Sequence, residues 1–173
     1  MDENKPGQLL LEELKWVHER IRHDLRLCED LARRASEGLS PTDVREEIRS
    51  LETNSPLWKL RVNCIYYCRF VHSHHAAEDI ALFPAVRAAD ESLVEVVHKL
   101  EADHRTVSDR LDEVEAAADA LLADDAADVR ARLVAALSAL ESDLLAHLDY
   151  EEAAIGPTIL EWDRWPFLTA RSS

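Results

Sequence analysis

The sequence HHAAEDIALFP at residues 74–84 returns later in the chain as HLDYEEAAIGP at residues 147–157. In both stretches a His precedes a Glu by four residues, an acidic residue follows that Glu, and a Pro lies ten residues after the His. Residues four apart on a helix share one face, with about 5–6 Å between their Cβ atoms. An imidazole and a carboxylate placed in this way can bind one metal ion together or share two.

Helical signals surround both stretches. The chain of 173 residues has only 3 Gly and 6 Pro, which is typical of a helical domain. Apolar spacing of three or four residues, together with turn residues, predicts long helices at about 8–36, 57–88, 90–123 and 126–161. Short links join the second, third and fourth of them, so we predict an all-α, antiparallel up-down four-helix bundle.

The remaining segments complete a single domain over residues 1–173. Ser40 and Pro41 give a capped start to a short connector helix through Leu51, between the first and second long helices. The tail at 162–173 contains two Trp and a Phe, and we expect it to pack back on the bundle.

A single His on each of the two remaining long helices extends the repeat. His18 lies on the apolar face of the first helix and His104 on that of the third, so each half of the chain has a lone His followed by His-x3-Glu. Six residues then share core-facing positions: His18, His74, Glu78, His104, His147 and Glu151. Buried polar groups are costly without partners, and a shared pair of metal ions would satisfy all six. The pattern therefore predicts a dinuclear metal site.

The second His of the pair at 74–75 is ambiguous from sequence. His75 could pair with Glu78 at i,i+3 or with Asp79 at i,i+4, but the ten-residue distance to Pro84 favours His74 as the ligand. We expect His75 to face solvent or to lie just outside the ligands. The same expectation holds for His23, His72 and His98.

Acids and tyrosines adjoin the predicted ligands. Asp79 and Glu152, which follow the two Glu, are rotated about 100° from them on a helix, and we expect them to be solvated or paired with neighbouring helices. Tyr67 and Tyr150 lie two turns before the first repeated His and one turn after the second, and are predicted to project toward the same layer. Each is either an ordinary core Tyr or a phenol that hydrogen-bonds an exogenous oxygen ligand and supports catalysis.

Composition argues against several partners. The net charge of -15 disfavours binding to nucleic acid or to anionic lipid.

No apolar run approaches the roughly 20 residues that span a bilayer, and no basic leader region is visible at the N-terminus. The three cysteines lack CxxC spacing, which suits reduced thiols. We expect a cytoplasmic protein, monomeric or homodimeric, with no membrane or nucleic-acid partner.

The chain resembles the hemerythrin-like family, the HHE cation-binding domain of non-haem di-iron proteins. The resemblance rests on His-x3-Glu-acid followed by Phe-Pro or Gly-Pro, present twice, and it covers Val17 to about Ile159. It implies a left-handed four-helix bundle that holds two iron ions, bridged by oxo, hydroxo or water. Carried over to this chain, it makes His18, His74, His104 and His147 terminal ligands, and Glu78 and Glu151 bridging ligands.

Two positions depart from the oxygen-carrying hemerythrins. Ser108 stands where those proteins carry a second His on the third helix, and Glu151 stands where they carry an Asp. The loss of one imidazole leaves an open or water-filled coordination position, which a reactive metal site needs.

We therefore expect a di-iron protein that binds or reacts with dioxygen, peroxide or nitric oxide, with an oxidoreductase activity such as peroxide breakdown or an oxidase-like reaction. An oxygen, iron or redox sensing or storage module without turnover is the alternative, and a structural or zinc-binding bundle is a third hypothesis.

Overall fold

Helices make up most of the described part of the chain, which covers residues 5–38, 56–123 and 126–166 of the computed structural model. The elements, in chain order, are α1 (Pro6–Gly38), α2 (Pro56–Ala77), a π-helical segment (Glu78–Leu82), α3 (Phe83–Ala89), a 3-10 turn (Glu91–Leu93), α4 (Val94–Ala123) and α5 (Ala127–Leu160). Because α2, the π-helical segment and α3 follow one another without a break, they form one long helix. The described residues thus form four long helices and no strand, which confirms the all-α four-helix prediction. The predicted connector helix at 41–51 and the tail beyond Pro166 lie outside the described residues.

Local chemistry separates the second long helix from the third. Asp90 leaves the helical conformation, with φ -146° and ψ 103°, and its side chain accepts a hydrogen bond from the backbone N–H of Ser92 at 2.9 Å. An Asp in this place satisfies a backbone donor that the first helical turn leaves unpaired. Pro84, which has no backbone N–H to donate, lies directly after the π-helical segment, in the first turn of α3.

Neighbouring helices run in opposite directions. Near the start of α1, the N–H of Gly7 donates to the carbonyl of Trp162 at 3.0 Å, just after α5 ends, and further along α1 Arg22 pairs with Asp149 at 2.7 Å. Between α4 and α5, His104 contacts His147 and the later Arg110 contacts the earlier Asp143, so these two helices are antiparallel. Between α2 and α4, Cys68 contacts Leu111 and the later His75 contacts the earlier His104, so these two are antiparallel as well. The middles of the four long helices therefore meet at one level of the bundle.

Two apolar clusters fill the core on either side of that level. The smaller cluster consists of Leu11, Leu14, Leu82, Phe83, Val86, Val97, Leu100, Ile155 and Ile159. The larger cluster is formed by residues such as Ile21, Leu25, Cys28, Cys64, Tyr67, Cys68, Val71, Val107, Leu111, Leu140, Leu144 and Leu148. Each fully buried aliphatic or aromatic side chain stabilises the fold by about 1.5–3 kcal/mol. The polar residues of the site lie between these clusters, where packing on both sides fixes their helices.

Candidate metal centre

The six residues predicted as ligands come together in one buried layer. Five of them are at most 4 % exposed: His18, Glu78, His104, His147 and Glu151. The side chain of His74 is 10 % exposed. Such burial follows from their register. On α1 and α4, buried apolar residues flank the ligand one turn before and one turn after it. On α5, Leu144 precedes His147 and Ile155 follows Glu151 by about one turn.

The ligand atoms of the layer form two groups that share one carboxylate. In the α1-side group, atoms of His18, His74 and Glu78 lie within 4.8 Å of one another. In the α4-side group, atoms of His75, Glu78, His104 and His147 do the same. Glu78 Oε1 lies 3.1 Å from His74 Nε2, and Glu78 Oε2 lies 3.5 Å from His104 Nε2. The two oxygens of Glu78 therefore face different groups.

Glu151 also lies between the groups. Its Oε2 is 3.5 Å from His18 Nε2, in the α1-side group, and 3.6 Å from His147 Nε2, in the α4-side group. The i,i+4 spacing within each repeat brings each Glu beside its own His, and the antiparallel packing brings the two Glu together across the bundle. The layer thus contains two carboxylates between two sets of imidazoles.

His75 is buried, so the expectation that it faces solvent was wrong. It is 5 % exposed, and its ring stacks on that of His104 with 4.0 Å between centroids and 7° between planes. On a helix, Glu78 lies about 40° from His74 and about 60° from His75, between the two. Both imidazoles can therefore face the layer, and the distance to Pro84 does not choose between them. The signal in the sequence was the i,i+3 spacing of His75 and Glu78.

The other three histidines lie away from the layer. His98 has a side chain 56 % exposed, that of His72 is 37 % exposed, and His23 is exposed. The structure therefore places these three side chains outside the buried layer.

The acids that follow each Glu hold the lone histidines. His18 Nδ1 lies 2.8 Å from Glu152 Oε1, and His104 Nδ1 lies 2.8 Å from Asp79 Oδ1. Because a carboxylate can only accept, Nδ1 carries the proton in both rings, and Nε2 presents its lone pair to the layer. Asp79 and Glu152 are therefore paired with neighbouring helices, which was one of the two expectations. Their equal offset in the two repeats is the sequence signal for this role.

Burial sets the protonation of the layer. It lowers the pKa of His18 and of His74 to about 3, and that of His147 to about 4, so these rings are neutral at physiological pH. Burial raises the pKa of Glu151 to about 8, and burial with repulsion from Glu151 raises the pKa of Glu78 well above its ordinary range. Neutral imidazoles are ready to bind a cation, and the carboxylates need a nearby positive charge to ionise.

The residues present fit bound metal cations. Several buried atoms of the layer have no hydrogen-bond partner among the described residues: His18 Nε2, His74 Nε2, His75 Nε2, both oxygens of Glu78, His147 Nδ1 and both oxygens of Glu151. His104 Nε2 and His147 Nε2 face each other at 3.1 Å. Unpaired buried polar atoms are destabilising, and cations between them would satisfy most of these atoms. Imidazole nitrogens and carboxylate oxygens suit iron, zinc and other divalent transition metals.

The two tyrosines occupy the flanks of the layer. Tyr67 is 3 % exposed within the larger apolar cluster, and its hydroxyl has no partner among the described residues. Tyr150 is half-buried against the smaller cluster, with Lys99 Nζ 4.2 Å from its ring centroid. Their proposed support of catalysis stays a prediction.

The fold and this layer define a four-helix bundle with a buried His/Glu cluster able to hold metal cations. The model of the family "Hemerythrin HHE cation binding domain" matches residues 9–159, and the chain belongs to that family. No curated protein and no solved structure matches the chain. Within the described residues, no helix combines the length and the apolar character that a membrane span needs.

Proposed function

We propose that the protein is a non-haem di-iron protein in which the α1-side group and the α4-side group each hold one iron ion. The observation that carries the proposal is Glu78, whose two oxygens lie near imidazoles of different groups. Glu151 approaches one imidazole of each group as a second candidate bridge. Two ions that share both carboxylates would lie close together, as reactions that need two metal ions require.

The proposed activity is an oxidoreductase reaction with dioxygen, peroxide or nitric oxide. Iron would supply the redox chemistry, and the chain supplies the environment. Asp79 and Glu152 hold two imidazoles in the tautomer that presents Nε2. The apolar clusters on both sides limit the access of water. The α1-side group has two imidazoles, fewer than the α4-side group, and leaves more room for an exogenous ligand.

Metal content tests the proposal first. Protein purified without added metal, or loaded with ferrous iron under anaerobic conditions, should contain about two irons per chain, because two ligand groups are present. Glu78→Gln should lower that content sharply, since Glu78 belongs to both groups. His98→Ala, at an exposed position, is the matched control and should keep the full content. Zinc alone, or no metal after iron loading, would contradict the di-iron proposal.

Turnover then separates an enzyme from a sensor. A di-iron oxidoreductase should consume many equivalents of peroxide, or of dioxygen with a reductant, for each iron pair. A sensing or storage module should react once per iron pair and stop. A single stoichiometric reaction at every tested pH and with every tested reductant would favour the module without turnover.

A further inference from the structure

We propose that His75 is a metal ligand of the α4-side group, and that it supplies from α2 the imidazole that Ser108 does not supply from α4. The inference rests on the proposed dinuclear site. His75 is 5 % exposed, and its Nε2 is buried without a hydrogen-bond partner among the described residues. A buried imidazole nitrogen that lacks a partner is unfavourable. A cation beside Glu78, His104 and His147 would remove that penalty.

The helix geometry sends the neighbouring histidines to different groups. His74 lies beside α1, with its ring centroid 5.1 Å from that of His18. His75 lies beside α4 and α5, with centroids 4.0 Å from His104 and 5.1 Å from His147. Glu78 lies between them on the same helix, about one turn further on. The end of α2 therefore offers an imidazole to each metal position, and the first residue of the π-helical segment, Glu78, offers a carboxylate to both.

The backbone changes at this place. The π-helical segment begins at Glu78, directly after the turn that carries His74 and His75. Asp79, the second residue of that segment, reaches His104 Nδ1 at 2.8 Å. Single π-helical turns are frequent at functional sites. Here the segment follows the two histidines directly, and it contains both Glu78, the carboxylate shared by the two groups, and Asp79, the acid that holds His104.

The α4-side group has enough imidazoles without a His at position 108, where this chain has Ser108. Ser108 lies one turn after His104 on α4, and a His in that position would face the same layer. With His75 as a ligand, the α4-side group keeps three imidazoles, although α4 itself provides a single one. The absence of a His at position 108 then does not open the α4-side position, and the group with fewer imidazoles is the α1-side one.

Iron titration of the apo protein tests His75. Under anaerobic conditions the wild type should bind two equivalents of ferrous iron, whereas His75→Ala should bind the second at least about tenfold more weakly, because it loses an imidazole that binds the ion directly. His75→Phe keeps a flat ring for stacking on His104 but has no donor, and it should show the same loss. His72→Ala, on the same helix but partly exposed, should match the wild type.

Rescue provides the second readout. Adding Ser108→His to His75→Ala should restore the second equivalent, because position 108 can present an imidazole to the same ion. Full binding by both His75→Ala and His75→Phe would overturn the proposal, and full binding by His75→Phe alone would reduce His75 to a support for the His104 ring. A wild type that binds no iron would instead overturn the proposed function. Helical content and melting temperature of each apo variant establish that it is folded.

Discussion

The carboxylate that follows each Glu of the repeat acts through a histidine of a neighbouring helix. Glu152 accepts from His18 Nδ1 at 2.8 Å and also from Arg22 at 3.0 Å, so it holds both the tautomer and the orientation of that ring. Such partners are as much a part of a metal site as the ligands themselves. Asp79 does the same for His104. The repeat therefore encodes a supporting acid in each half of the chain.

Glu152→Ala should weaken metal binding at the α1-side group by about 10–100-fold, because it frees the ring of His18 and leaves its Nδ1–H unpaired. Competition with a chelator of known affinity measures the change. Asp149→Ala is the matched control, since Asp149 pairs with the same Arg22 but does not touch His18. Glu152→Gln should recover part of the affinity through its amide oxygen. Equal affinities of Glu152→Ala and Asp149→Ala would contradict this role.

A pair of acids outside the site should make stability depend on pH. Burial is the main cause, and repulsion from Glu141 the second, that raises the pKa of Glu29 to about 7. The folded state thus holds a proton that the unfolded chain releases near pH 4.5, so the contribution of this pair to stability is highest below pH 4.5 and is lost as the pH rises through about 7.

Glu29→Gln should therefore raise the free energy of unfolding at pH 8 and change it little at pH 4. The gain should not exceed about 1 kcal/mol, because both acids are only partly buried and solvent screens the repulsion. Urea unfolding at the two pH values measures it. Glu13→Gln, at an exposed position of α1, serves as control. An equal effect of Glu29→Gln at both pH values would refute the titration.

Among the elements, α1 and α5 meet so closely at one end of the bundle that only Gly fits there. A Cβ on Gly7 would lie 2.0 Å from the carbonyl oxygen of Ile159 and 3.0 Å from that of Trp162. Both are backbone atoms, which cannot move away without shifting the end of α5. At Gly156, by contrast, a Cβ would lie 3.6 Å from the side chain of Leu11, an ordinary contact.

Gly7→Ala should lower the free energy of unfolding by about 1–3 kcal/mol through this clash. Gly156→Ala, the matched control inside α5 about one turn before its end, should be neutral or stabilising by up to about 1 kcal/mol, since Ala favours helix more than Gly. Thermal unfolding of the two variants gives the comparison. Tolerance of Ala at both positions would show that α1 and α5 separate there.

The sequence predicts regular elements well and their local irregularities poorly. Periodicity predicted a helix at about 126–161, and α5 runs over Ala127–Leu160, because a stripe of apolar residues needs only one buried face. The π-helical segment could not be predicted, since it depends on backbone bonding and on what packs against the helix. His75 was misplaced for a related reason. Both His74 and His75 can turn toward a core, and the position of His104 on another helix decides which face is buried.

At the scale of the whole molecule, we expect the candidate metal centre to destabilise the core of the described residues when no cation is bound, because most of their unpartnered buried polar atoms lie there. Two buried carboxylates and five buried imidazoles lie between the apolar clusters, and burial raises the pKa of Glu78 and of Glu151. An unpaired buried charge is unfavourable. The apolar clusters hold the layer in place, and bound cations would turn it into a link between all four long helices.

Removal of metal should therefore lower the melting temperature of the whole protein. A ligand present at about 100 times its dissociation constant stabilises the folded state by about 2.7 kcal/mol. At about 2–4 °C per kcal/mol for a chain of this size, chelation should lower the melting temperature by roughly 5–10 °C. Calorimetry before and after chelation measures the shift, and added ferrous iron should reverse it. The same chelation should hardly affect Glu78→Gln, in which the carboxylate shared by both groups is lost. An unchanged melting temperature of the wild type would mean that the layer is stable without cations, and that the bundle does not depend on the centre it encloses.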